Sequence, residues 1–160
     1  MSAPLVALTV IAAVGSGAMG GVFLAFSTFV MNALRRLPAA QGMAAMQSIN
    51  VVAVTPPFML ALLGTAAACV ALVVAAIVTW DEASAPWLLA GSVLYLVGEI
   101  AVTRAYNVPR NDELAALDPD SAEAAARWPS WVAEWQAGNH VRTAAGAAAA
   151  AALCVALAVG

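Results

Sequence analysis

The residues of this chain that could do chemistry gather in three short stretches. They are Tyr106-Asn107-Val108-Pro109-Arg110-Asn111, the pair Trp131 and Trp135, and Asn139-His140-Val141-Arg142-Thr143, with Gln47, Asn50 and Glu99 standing apart. His140 is the only histidine. An unperturbed imidazole titrates near physiological pH, so it can serve as a general base. It can equally be an interfacial side chain bonded to a neighbouring carboxylate or carbonyl, and a single axial bond to haem is open to it. One histidine and two distant cysteines, Cys69 and Cys154, do not make a zinc or copper site. Arg142 can snorkel, pair with Glu99 or hold an anionic substrate. The tryptophans can anchor the chain at a membrane interface or wall a flat aromatic ligand. The cysteines read as small buried side chains.

The elements that must position these groups are membrane helices. The chain is 64% hydrophobic and 9% charged, with a mean hydropathy of +0.90, where a soluble domain is about a quarter charged. Four apolar runs, at 5–31, 58–80, 87–106 and 139–159, reach or approach the roughly 20 residues that cross a bilayer. They lack the period-2 alternation of a barrel strand. The expected fold is all-α, one membrane domain over 1–160, a bundle of four transmembrane helices with a short amphipathic helix at the interface over 38–54 and a polar connection over 107–130. The first run has no basic segment ahead of it and is too long for a signal peptide core, so it is kept as a span. All six basic residues lie after the first run or around the connection between the third and fourth. The positive-inside rule then places those two connections in the cytoplasm and both termini outside, in the cytoplasmic membrane. A net charge of −3 with no basic patch argues against nucleic acid. The implied partners are the lipid bilayer and a lipophilic small molecule. Gly17 and Gly21 form a GxxxG spacing, suited to packing inside the bundle or to a homo-oligomer. Phe23, Phe26 and Phe29 read as packing or lipid-facing groups.

Helical periodicity arranges the polar groups further. In the interfacial helix Met43, Met46, Ile49 and Val52 share a face, with Gln47 and Asn50 turned to the bundle. In the third span Tyr95, Glu99, Thr103, Tyr106 and Arg110 fall on one stripe. Glu99 lies deep enough to need a charge partner, Arg142 or otherwise Arg110 or Arg104. Pro109 predicts that the helix ends near Asn107. Asp120 with Glu123 predicts a capped short helix over 120–127, stopped by Pro129, with Trp131 opening the fourth helix. On that helix Trp131, Trp135, Gly138 and Arg142 share one face while Gln136, His140 and Thr143 share another. His140 reaches the first face only if Gly138 distorts the helix.

With these residues in order, the chain resembles the anthrone oxygenase-like family of small four-helix membrane proteins. The resemblance rests on Met46-Gln47 followed by Ile49-Asn50, on Thr103 with Tyr106-Asn107-Val108-Pro109, Asn111 and Leu114, and on Trp131, Trp135 and Asn139 to Thr143. Fungal members of that family are associated with oxidising an anthrone to an anthraquinone with molecular oxygen and no established cofactor. The resemblance implies a pocket built by Gln47, Asn50, Tyr106, Asn107, Asn111, Asn139, His140 and Arg142, with His140 as base, Arg142 and an asparagine holding an oxyanion, and Trp131 and Trp135 packing the rings. No cofactor is expected. A module that binds a lipophilic ligand or haem without catalysis, and a structural membrane subunit, are the alternatives.

Overall fold

A computed structural model of the chain describes residues 1–80 and 82–160. Asp81, in the expected short connection Trp80–Pro86, lies outside the described residues. The described chain is helical, and the helices are α1 (Ala3–Leu34), α2 (Ala39–Ala53), α3 (Pro56–Val78), α4 (Ala85–Ala115) and α5 (Ala122–Val159). Four of them, all but α2, are long and apolar enough to cross a membrane. The outer faces of the bundle are apolar too, with Leu60, Val74 and Val78 exposed, as lipid contact requires. The chain is an integral membrane protein with an all-α, four-span bundle. The Met1 ammonium donates to the Gly160 carbonyl at 2.9 Å, so both termini lie at one end. The helix α2 lies at the other.

Helices α1, α3 and α4 each carry proline in the first two positions, where the missing N–H has no intrahelical partner to lose. Helix α2 buries Gly42, Met43 and Met46 and half-buries Ile49, whereas Val51 and Val52 are exposed. Val52 therefore does not share the buried face of Met43, Met46 and Ile49 that the spacing predicted for it. The helix lies on the bundle end with its other side exposed.

Two expected helix ends are absent. Helix α4 runs through Asn107 and Pro109 without a break. It contains π-helical segments at Leu94–Ala101 and Thr103–Asn107, and their wider turns, which bond i to i+5, deliver Pro109 to the opening of the α-helical stretch Val108–Ala115. Helix α5 likewise includes Pro129. A proline inside a helix costs about 3 kcal/mol. Trp128, Trp131, Val132 and Trp135 on either side of it are all buried, against Met31, Met43, Met46 and Leu114, and one buried large side chain contributes about 1.5–3 kcal/mol. Arg127 also straddles the proline, donating to Ser130 at 2.7 Å and to Glu134 at 2.9 Å while holding Glu113. The cap of α5 is Ser121, whose hydroxyl accepts from the Ala124 N–H at 3.1 Å. Asp120 precedes the cap rather than forming it.

The π-segments change which residues of α4 face inward. In an α-helix a step of four residues overshoots a full turn by about 40°, so a four-residue spacing drifts off any face within a few turns. Wider turns absorb that drift. Tyr95, Glu99, Thr103, Asn107 and Asn111 therefore form one inward line, buried or half-buried throughout, and Tyr106 and Arg110 stand beside it. Helix α5 meets this line antiparallel. Asn107 packs against Gly138, Thr103 against Arg142 and Glu99 against Gly146. Gly20 of α1 closes on Gly146 from the third side, within 3.3 Å of where its Cβ would stand. The close helix crossing thus uses Gly20 and Gly146, not the Gly17 and Gly21 spacing. A Cβ on Gly21 would meet nothing within 4 Å.

Candidate functional site

At the α2 end, the five helices enclose a cavity of about 280 Å³, near the lower bound of roughly 300 Å³ for small-molecule sites. Its walls are apolar: Phe23 and Phe26 from α1, Met46 and Ile49 from α2, Phe58, Met59 and Leu62 from α3, and Trp135 from α5. Its polar groups are Asn50, Thr103, Asn111 and Arg142.

Arg142 sits on the wall and is only 4% exposed. Its guanidinium donates to the Asn139 side-chain oxygen at 2.8 Å and to the Thr103 hydroxyl at 3.2 Å. The guanidinium carbon lies 4.1 Å from the centre of the Phe23 ring and 5.2 Å from that of Trp135, close enough for cation–π attraction to both. Its Nε has no partner. Asn139 fixes this arrangement from behind. Its amide donates to the Phe23 carbonyl at 2.8 Å and to the Ser27 hydroxyl at 2.7 Å, and its oxygen is left for Arg142. The cation is therefore held by α1, α4 and α5 together.

The other residues singled out by sequence divide between the cavity and the frame around it. Asn50, Asn111 and Trp135 line the cavity, and the Trp135 indole N–H donates to the Asn111 side chain at 2.8 Å. Gln47 does not line it. Its amide donates to the carbonyls of Leu114 and Leu117 at 2.8 and 2.9 Å, where α4 ends, tying α2 to that end. Trp131 is fully buried with Met31, Met43, Met46 and Leu114, stacked between Trp128 and Trp135, and donates to the Arg110 carbonyl at 2.8 Å. It fills the protein rather than a ligand site. Asn107 donates to the Trp135 carbonyl at 3.1 Å behind the wall. Tyr106 lies under the Arg110 guanidinium, 3.5 Å from its ring centre.

His140 is exposed and does not line the cavity; its Nδ1 meets the Ser27 hydroxyl at 2.9 Å. The helix is regular through Gly138, so nothing rotates His140 toward the Arg142 face. Gly138 serves instead to admit Tyr106 and Asn107. Glu99 is fully buried, and neither oxygen has a hydrogen-bond partner. Among the described residues it makes no ion pair. Arg110 is taken by Glu134 at 3.5 Å, and Arg142 turns away for a geometric reason. Side chains lean toward the N-terminus of their own helix. On antiparallel α4 and α5 that sends Glu99 toward Gly146 and Arg142 toward Thr103 and Asn139.

Phe23, Phe26, Phe58 and Thr103 are cavity residues that reading by residue type passes over. The four-residue spacing of Glu99, Thr103, Asn107 and Asn111 was the signal available for Thr103.

A sequence profile of the family described as anthrone oxygenase matches residues 55–152. No curated protein and no solved structure matches. The matched stretch holds two of the three motif groups, Thr103 to Leu114 and Trp131 to Thr143, and leaves out the Met46–Asn50 group on α2. It covers well over half of the 160 residues and includes Thr103, Asn111, Trp135 and Arg142 from the cavity wall, and the chain belongs to the anthrone oxygenase family.

Proposed function

We propose that this protein is an integral-membrane oxygenase that takes an anthrone-type or other polycyclic phenolic molecule from the bilayer and oxidises it with molecular oxygen. The observation that carries the reading is Arg142: a buried guanidinium, fixed by two polar neighbours and flanked by two aromatic rings, on the wall of an otherwise apolar cavity. An anthrone carries a CH₂ flanked by two aryl rings. Loss of one proton gives a delocalised anion whose charge rests on oxygen. That anion passes an electron to O₂, and the two radicals combine to a peroxide. Loss of water leaves the quinone, so CH₂ and O₂ become C=O and H₂O. The protein's part is to hold the oxyanion at Arg142, pack the rings between Phe23, Phe26, Phe58 and Trp135, and keep the site dry. The proton lost from the CH₂ returns to the peroxide oxygen before water leaves, so substrate and oxygen account for every atom and electron. His140, on the outer face, has no part in it.

One observation favours a second reading, a module that binds without catalysis: among the described residues, the titratable side chains lining the cavity come down to Arg142 alone. Purified protein in lipid nanodiscs separates the two. Oxygenase activity consumes one O₂ per quinone formed, well above the autoxidation of anthrone in empty nanodiscs. Saturable quenching of tryptophan fluorescence with no added oxygen uptake means binding only, and a Soret band in the visible spectrum restores haem. His140→Ala keeps at least half of the wild-type turnover. A loss beyond tenfold makes the imidazole the base after all.

The arginine distribution supports both termini outside the cytoplasm. In a background with Cys69 and Cys154 replaced, an impermeant maleimide should label Ala83→Cys in intact cells, and Asp118→Cys only after permeabilisation. Both positions are exposed. The reverse pattern inverts the topology.

A further inference from the structure

Helix α1 gives the cavity wall Val22, Phe23 and Phe26. Behind them it carries one half-buried hydroxyl, Ser27, to which the oxygenase reading assigns no task. Ser27 lies in a π-helical stretch of α1, Phe26–Val30. Its hydroxyl is used differently from those of Thr9, Thr28, Thr79 and Thr143, each of which donates to the carbonyl four residues back. The carbonyl four residues before Ser27 belongs to Phe23, and it is taken by another helix. The Asn139 amide nitrogen donates to the Phe23 carbonyl at 2.8 Å and to the Ser27 hydroxyl at 2.7 Å. An amide of α5 is thus inserted where a serine would ordinarily close on its own helix.

Counting hydrogens fixes the directions. The Phe23 carbonyl can only accept, which excludes the reversed amide. Both N–H bonds of Asn139 therefore end on α1, and its oxygen is the atom that meets Arg142, at 2.8 Å. The Thr143 hydrogen goes to the Asn139 main-chain carbonyl at 3.0 Å. Ser27 accepts from Asn139, and its own hydrogen has two acceptors within reach, Thr143 Oγ1 at 3.0 Å and His140 Nδ1 at 2.9 Å. Either one leaves a Ser27 lone pair facing Asn139, so the imidazole is dispensable to the arrangement. Asn139 is fully buried and Arg142 is 4% exposed, and buried N–H groups of this kind depend on protein acceptors. The contacts form an unbroken chain from Ser27 through Asn139 to the guanidinium on the cavity wall.

We propose that Ser27 is a positioning residue of the site: it holds the Asn139 amide in the orientation that presents its oxygen to Arg142, and so sets the guanidinium against a bound oxyanion. Without the hydroxyl, one buried N–H of Asn139 has no acceptor. The amide then gains by turning, and Arg142 loses one of its two anchors, the other being Thr103. The inference rests on Arg142 as the anion site of the proposed function and is independent of the oxygen chemistry.

The test uses full-length protein in nanodiscs and 2-hydroxyanthraquinone, a flat phenol whose anion absorbs at longer wavelength than the neutral form. Tryptophan quenching reports binding, and a pH titration of the absorbance gives the ionisation midpoint of the bound probe. In wild type that midpoint should lie below the value in empty nanodiscs. Arg142→Met should raise it by about 1–3 pH units, the effect of losing an opposite charge at close range. Ser27→Ala should raise it by about half a pH unit or more, the scale of one buried hydrogen bond. Ser27→Thr, which keeps the hydroxyl, should restore it. Ser27→Cys, close in size but a poor acceptor, should behave as Ser27→Ala and serves if the alanine variant does not fold. Thr28→Ala, whose hydroxyl is exposed and bonded within α1, should match wild type. In the Arg142→Met background Ser27→Ala should add nothing. A hydroxyl used only for packing lowers the melting temperature and leaves the midpoint at the wild-type value; that result overturns the proposal and leaves Arg142 as the anion site. A further shift in the Arg142→Met background also overturns it. An unmoved midpoint in Arg142→Met removes Arg142 as the anion site and overturns this proposal with it.

Discussion

Arg142→Met lowers quinone formation by about 10²–10³-fold, the usual cost of removing a preorganised donor from a developing oxyanion. Among the described residues the buried guanidinium is the only cation on the cavity wall, and methionine keeps most of its length without its charge or fork. Arg142→Lys recovers only part of the loss, because one ammonium cannot hold Thr103 and Asn139 in the planar geometry the guanidinium uses. Arg110→Met is the comparison. Its guanidinium lies over Tyr106 and beside Glu134, away from the cavity, and turnover should stay within threefold of wild type. The checks are initial rates of oxygen uptake, with thermal melts to show that each variant is folded. Wild-type turnover by Arg142→Met removes Arg142 as the oxyanion site.

Gly146→Val should destabilise the bundle strongly. A Cβ at Gly146 would run into the Glu99 carboxyl, and it would come within 2.8 Å of the Gly20 Cα. The Gly20 backbone at the helix crossing cannot yield, and the buried Glu99 carboxyl would have to move. Overpacking of this kind costs about 3 kcal/mol, or roughly 6–12 °C in Tm for a chain of this size. Gly21→Ala, beside open space, should leave Tm unchanged or slightly raised, since alanine is the better helix former. A double-mutant cycle of Gly146→Ala with Glu99→Ala shows which neighbour matters. A smaller penalty in the Glu99→Ala background means that the carboxyl fills the notch. If Gly146→Val melts with wild type, the close crossing of α1, α4 and α5 is wrong.

The spans, the interfacial helix and the family were legible because each is written in long runs or in local motifs. Twenty apolar residues have few alternatives in lipid, and Pro56-Pro57 marks its boundary without help from the rest of the chain. Asn50, Asn111, Trp135 and Arg142 were legible as cavity residues for a related reason: polar and aromatic groups at membrane level need partners or a ligand. The errors came where packing across the bundle outweighed a local rule. Pro129 ends a helix in isolation, but not when tryptophans on both sides are buried against Met43, Met46 and Leu114. Pro109 ends one too, unless the preceding turns are π-helical. The Glu99–Arg142 pair looked compelling on depth alone; the antiparallel lean of the two side chains, which no linear count includes, separates them. His140 was the most conspicuous residue by type, and its position one residue after Asn139 put it outside.

The π-helical turns of α4 also have a bearing on descent. A π-turn is an α-helix holding one residue more than its hydrogen-bond ladder accommodates. Deleting a single residue between Leu94 and Asn107 would let the ladder close and turn everything beyond it by about 100°. The span would still cross the bilayer with its hydropathy unchanged, yet Asn107 and Asn111 would leave the inward line and Trp135 would lose the partner of its indole. Two relatives differing by one codon in this helix can therefore share a fold and not a pocket. Alignments within the family need their gaps placed inside the third span, where gaps are ordinarily forbidden, before any residue of the site is compared between members.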